Sequence, residues 1–116
     1  MTQRFRQSDR IKRPADFRRA FRQGRSAANG LVRLHVLAGP AGRRRLGVAV
    51  SKRHGPAVRR NRIKRLCREA FRTCRDELPA GCDYVVVPAV GAELTVEGLR
   101  RSLRRLARQL AGGGRP

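Results

Sequence analysis

The sequence predicts a single α+β domain: an α-β-β(-β)-α-β-α sandwich, with a mixed, mainly antiparallel sheet and helices packed mainly on one face. Three observations predict it. Two long segments, 57–75 and 95–110, repeat apolar residues at helical intervals. Short Val- and Leu-rich runs at 31–37, 45–51 and 83–88 read as strands bounded by turn residues. A chain of 116 residues without internal repeat or linker has the length of one domain, 1–116, with a real but modest core. Helices and a sheet that each bury one face are then paired as layers.

Residues 1–13 are polar and basic, with Phe5 and Ile11 as isolated anchors, and are expected to lie on the domain as an arm. Pro14 suits the first turn of a helix and Gly24 its C′ position, with Phe17, Ala20 and Phe21 as a short apolar face between them. In the run Leu31–Leu37, Val32, Leu34 and Val36 would face the core, and Leu31, Arg33, His35 and Leu37 the other side. Asn29-Gly30 marks a bulge or kink, or splits off a short strand before it. The turn cluster Gly39-Pro40-Ala41-Gly42 predicts a hairpin returning through Arg45–Ser51. On that strand Leu46, Val48 and Val50 point one way, and small Gly47, Ala49 and Ser51 leave room for a side chain or ligand on the other.

After a loop at 52–56 comes the most informative segment, a basic helix over about 57–75. Ile63, Leu66, Cys67, Ala70 and Cys74 form one buried stripe, while Asn61, Lys64, Arg65, Arg68, Arg72 and Arg75 fall on the opposite side. One face can thus hold the helix to a core while the other presents cations and an amide to phosphates. Asp83–Pro88 is the next strand. Thr95 is placed to N-cap the last helix with Glu97 in its first turn, and Val96, Leu99, Leu103, Leu106 and Leu110 make its apolar stripe. Residues 112–116 read as a flexible tail.

Charge narrows the function. Twenty-nine Lys and Arg against 8 Asp and Glu leave +21, which opposes compaction and implies a polyanionic partner. Only Lys12, Lys52 and Lys64 are lysines; arginine suits forked phosphate contacts, although a GC-rich coding sequence also raises its count. The net charge survives that discount. Cys67, Cys74 and Cys82 are odd in number and lack zinc-site spacing, and Cys67 and Cys74, about 10 Å apart along a helix, are too far apart for a disulfide. They read as small core residues of a cytoplasmic protein. The N-terminus leads into no apolar signal region and no window approaches a membrane span. Eight scattered acids and two histidines, His35 and His54, in different segments offer no cluster for a metal-dependent nuclease site.

The run Ser51-Lys52-Arg53 followed by Arg60-Asn61-Arg62-Ile63-Lys64-Arg65-Leu66-Cys67-Arg68-Glu69 resembles the signature of the bacterial ribonuclease P protein subunit. Asp16-Phe17-Arg18-Arg19-Ala20-Phe21-Arg22-Gln23-Gly24, Arg45–Ser51 and Asp83–Val87 match further segments of that family in order, so the resemblance covers roughly residues 4–110. It implies a ribosomal protein S5 domain 2-like fold. It also implies a role beside the catalytic RNA of an endoribonuclease that removes the 5′ leader of precursor tRNA. Chemistry would belong to the RNA and to Mg²⁺ held mainly by it, so no catalytic residue is named in this chain. Arg60, Asn61, Arg62, Lys64, Arg65 and Arg68 would meet the RNA core. Phe17, Phe21, Arg33, His35, Lys52 and Arg53 would serve a cleft for the single-stranded leader. His35 stands where the family often has Tyr, and Arg13 where it often has a polar helix cap. The implied partners are the ribonuclease P RNA and precursor tRNA, with a monomeric protein in a 1:1 ribonucleoprotein and no membrane. The alternative is a basic ribosomal or other structural RNA-binding protein with no role in cleavage. A DNA-binding helix-turn-helix fits poorly, because the basic helix is long and follows a strand.

Overall fold

The computed structural model describes residues 9–112, with side chains through Leu110. The elements in chain order are α1 (Pro14–Gln23), β1 (Arg25–Ala28), β2 (Val32–Ala38), β3 (Arg44–Val48), α2 (Ala57–Cys74), β4 (Cys82–Pro88) and α3 (Val96–Gly112). Single 3-10 turns at Lys52–His54 and Arg75–Glu77 flank α2. Phe5 and residues 113–116, part of the expected arm and tail, lie outside the described residues; Gly112, expected in the tail, is the last residue of α3.

The sheet order is β1-β2-β4-β3, with β1–β2 and β2–β4 antiparallel and β3–β4 parallel. Asn29-Gly30 does split off a short strand: the Asn29 side chain accepts hydrogen bonds from the Leu31 and Val32 amides and turns the chain from β1 into β2. The expected hairpin between β2 and β3 does not form. The turn at 39–42 instead straddles β4: Gly39 N–H donates to Gly81 O, and the Gly81 and Cys82 amides donate to Arg43 O. β4 belongs in the centre because Tyr84, Val85 and Val86 are all buried, so both of its faces need cover. Its parallel pairing with β3 follows from the long crossover through α2.

Alternation along β4 assigns the faces. Tyr84 and Val86 join Val32, Leu34, Leu46 and Val48 in the main core, which α2 and α3 cover; Val85 joins Ile11 and Ala20 under α1. Two helices therefore pack on one face and the short first helix on the other. Leu31, expected on the outer side, sits in the turn before β2 and packs on the main core. α2 buries Ile63, Cys67, Ala70 and Cys74 of the expected stripe, with Leu66 partly buried against the core, and it also buries Phe71, whose ring lies 6.0 Å from that of Tyr84. Cys67 and Cys74 are core residues as expected; burial pushes their thiols up to about 12 and about 11, so they stay protonated.

The helix ends follow the sequence signals with one difference. Thr95 caps α3, accepting from Gly98 N–H at 3.0 Å, and Pro14 opens α1 behind an Arg13 whose side chain makes no cap bond. Gly24 ends α1 in an extended conformation (φ −74°, ψ 157°), not in the left-handed one a C′ glycine usually serves. Glycine is needed there for closeness, since a Cβ would meet Ala20 O at 2.5 Å. Gly47 does the same on β3, where a Cβ would meet the Phe17 ring at 2.8 Å. The small face of β3 is thus filled by a helix side chain.

Candidate nucleic-acid interface

The interface starts from α2. Asn61 and Arg65 project into solvent, and Lys64 and Arg68, half-buried on the same side, lean toward α1. These four residues make the continuous polar face that the sequence predicts. Arg60 and Arg62 fall elsewhere. Arg60, near the buried flank, donates to Gly55 O at 3.1 Å and so stiffens the entry to the helix. Arg62 turns with Arg59 and Glu93 toward the loop before α3. Arg72 donates to both oxygens of Glu69, at 3.1 and 2.7 Å, and Arg75 pairs with Asp9 at 3.2 Å, which leaves the C-terminal end of the face locally compensated.

Between α2, β3, α1 and the arm runs a cleft. Its apolar floor comes from Ile11, Phe17, Phe21, Leu46, Val48 and Ala49. Its charged lining is Arg10, Lys12 and Arg18 on one side and Lys64 and Arg68 on the other, with no acidic side chain among the described residues. The arm is fixed as a wall by Ile11, buried and donating its amide to Leu46 O at 2.9 Å, and by Asp9, which takes Arg43 at 3.0 Å as well as Arg75. Burial, and then the neighbouring Arg10, lower the pKa of Arg68. Arg10, Lys12 and Arg18 were not singled out from the sequence; the isolated apolar Ile11 between two cations was the available signal.

Phe17 and Phe21 do share a face, with ring centroids 6.4 Å apart. Phe21 is 45% exposed, unusual for a large apolar residue in a small core, and its ring meets that of His35 edge-on at 4.9 Å. His35 and Arg33 therefore extend the cleft's aromatic floor across the sheet without lining the cleft themselves. Arg33 donates to Ser26 Oγ at 3.0 Å and remains exposed. Lys52 and Arg53 are exposed in the 3-10 turn beyond Val50, where the lining ends. That turn is held by His54, whose Nδ1 accepts from the Ser51 amide while Nε2–H donates to Pro88 O at 2.8 Å. His54 thus has a structural duty that the sequence did not announce, tying the start of α2 to the end of β4.

His35 is held below its ordinary value of 6.5, first by burial and then by Arg33. The unfolded chain therefore binds that proton more readily, so stability rises with pH up to about 6.5 and falls on the acid side. Thermal melts between about pH 5.5 and 7.5 should show that loss, and His35→Phe should flatten it. An unchanged acid slope in the variant would place the titration on another group.

The sequence model of the Ribonuclease P family matches residues 5–111. The chain belongs to the ribonuclease P protein family. It is 43% identical over 102 residues to the ribonuclease P protein component of Shouchella clausii (strain KSM-K16), covering 86% of this chain and 84% of that one. Among solved structures it is similar to the RNase P protein of Thermotoga maritima, with a TM-score of 0.77 and 30% identity over 86% of this chain and 96% of the other. A mutant Staphylococcus aureus RNase P protein with defective mRNA degradation activity gives 0.74 and 33% over 87% and 86%. As a ribonuclease P protein the chain is one part of an endoribonuclease holoenzyme whose other part is RNA.

Proposed function

We propose that this chain is the protein component of a ribonuclease P in which the α2 face seats against the catalytic RNA. In this reading the cleft grips the 5′ leader of precursor tRNA, and the holoenzyme cuts the leader away to give the mature 5′ end. The observation that carries it is the pairing of an aromatic floor with walls that are entirely basic. A π-face stacks on any base and guanidinium groups follow the backbone, so such a cleft takes single strands of varied sequence. Asn61, Lys64, Arg65 and Arg68 present rigid donors on one helix face, suited to phosphates of a folded RNA. Arg60 and Arg62 contribute by shaping and flanking that face.

The protein acts by binding and orienting. Magnesium enters as an ion held mainly by the RNA: among the described residues no three His, Cys, Asp or Glu side chains gather into a metal-binding group, and buried Asp9 and Asp83 face arginines. Neutralising phosphates across the cleft lowers the repulsion between leader and RNA, which lets the holoenzyme work at lower Mg²⁺. Among the described residues no helix is long and apolar enough to cross a membrane. A monomer in a 1:1 ribonucleoprotein in the cytoplasm completes the proposal. The ribosomal alternative has no support in the relatives named above.

The deciding experiment is reconstitution with the RNA subunit of the same genome, assaying 5′ maturation of a precursor tRNA at low Mg²⁺. Protein-dependent cleavage at the mature 5′ end is expected. Phe21→Ala then probes the cleft, because the exposed ring can go with little loss of core. One lost base stack, about 1–3 kcal/mol, should weaken precursor tRNA binding by roughly 5- to 150-fold and leave mature tRNA binding nearly unchanged. Equal losses for both RNAs would remove the leader from the cleft.

A further inference from the structure

Helix α3 carries a basic surface that neither the cleft nor α2 uses. Leu99, Leu103, Leu106, Ala107 and Leu110 seat it on the main core, the side of the sheet opposite α1. At about 100° per residue, Arg101, Arg104, Arg105 and Arg108 fall on the outward side, where with Gln109 they border a shallow depression. Arg100 pairs with Glu97 at 3.1 Å and Arg104 with Glu77 at 3.3 Å. Arg101, Arg105 and Arg108 are exposed, and none forms an ion pair among the described residues. Like charges at these i, i+3 and i, i+4 spacings repel, so the row strains its own helix until an anion lies across it.

We propose that this face of α3 holds the phosphate backbone of a double-helical RNA segment, separate from the single strand assigned to the cleft. The proposal rests on RNA being the partner and adds a second, differently shaped contact. From Arg101 to Arg108 the row spans about 10 Å of a rigid helix, enough to set guanidinium forks along successive phosphates. Among the described residues no aromatic side chain borders it, so unpaired bases find nothing there to stack on, in contrast to the Phe17–Phe21 floor. Among the described residues no apolar side chain borders it either, so a lipid surface would gain charge contact there without burial. A backbone-only surface of this kind reads helical shape without sequence. With the cleft opening between α1 and α2 at the β3 edge of the sheet and this row on α3, the protein would touch two RNA segments at once and hold one relative to the other.

The test uses the full chain with two probes, a short blunt RNA duplex of arbitrary sequence and single-stranded poly(U), in titrations over a range of salt. The triple variant R101E/R105E/R108E should lose at least about tenfold in duplex affinity, and its log K against log salt slope should become shallower by about 2 to 3. Poly(U) binding should change less than about threefold, and the lysine triple R101K/R105K/R108K should keep most of the duplex affinity. Phe21→Ala should do the reverse, losing poly(U) and keeping the duplex, so failure of the cleft reading shows up separately. Unchanged duplex affinity and slope in a folded reversal variant would overturn the proposal. So would equal losses on both probes, or a loss confined to anionic vesicles. If charge reversal unfolds α3, the glutamine triple R101Q/R105Q/R108Q gives the same comparison.

Discussion

Replacing Arg65 and Arg68 together by alanine is expected to lower affinity for the ribonuclease P RNA by about a hundredfold while the domain stays folded. Each guanidinium can make hydrogen bonds to charged phosphate oxygens worth about 1.5–3 kcal/mol. Two such losses, discounted for screening at the surface, leave roughly two decades. The salt slope should fall by about 1.5 to 2, since two fewer phosphates are neutralised. Folding should be spared because Arg65 is exposed and Arg68 already sits against the charge of Arg10, so its removal relieves repulsion. Titrations of the RNA subunit over salt, beside melting curves of the free variant, separate the two effects. Full affinity in the double variant would move the RNA contact off this face of α2.

Asp83→Asn is expected to be the most damaging single change to stability. Asp83 is 2% exposed on the central strand and accepts from Arg45 Nε at 2.8 Å and Nη2 at 2.6 Å, with Arg19 at 3.9 Å. The carboxylate in turn raises the pKa of Arg45. Taking the charge from one side leaves a largely buried guanidinium uncompensated, a loss of about 3–5 kcal/mol for a buried pair, with the lower end apt here because Arg45 keeps some contact with water. In a domain of this size that lowers the melting temperature by roughly 12–20 °C. Removing both partners in Asp83→Leu with Arg45→Leu should recover much of it, because well-packed apolar groups replace ion pairs at little cost. If the double variant melts as low as the single one, the loss comes from packing against Gly39 and not from the stranded charge.

The helices were legible because their signal is local. Apolar spacing, Pro14, Thr95 and the alternation in 32–36 act within a few residues, and the structure carries each out. Strand neighbours were not legible from the turn at 39–42, since pairing is decided by burial far along the chain. The uninterrupted Tyr84-Val85-Val86-Val87 run, against the polar Arg25-Ser26 of β1, marks β4 as central and β1 as an edge. In the site, periodicity put Asn61, Lys64, Arg65 and Arg68 on one face of α2 and Phe17 and Phe21 on one face of α1, while the cleft role of the Phe pair came only from the family resemblance. For the other wall the only local hint was Ile11 between two cations; Arg10 and Lys12 reach the cleft because Asp9 finds Arg43 and Arg75, partners that no spacing rule connects to it. Motif matching likewise placed Arg60 among the RNA contacts, where helix geometry gives it a backbone carbonyl.

The Asp9 clamp also sets an order of events as the chain is made. Residues 9–12 are made before the partners they need: Ile11 docks on Leu46, and Asp9 waits for Arg43 and then Arg75, at the far end of α2. The wall of the cleft is therefore synthesised ahead of its partners and settles only after they have emerged. A nascent chain that has only its first helix and early strands carries much of the positive charge but no finished groove. If the cleft grips the leader as proposed, that grip belongs to completed molecules, and an unfinished one cannot compete for precursor tRNA through the groove.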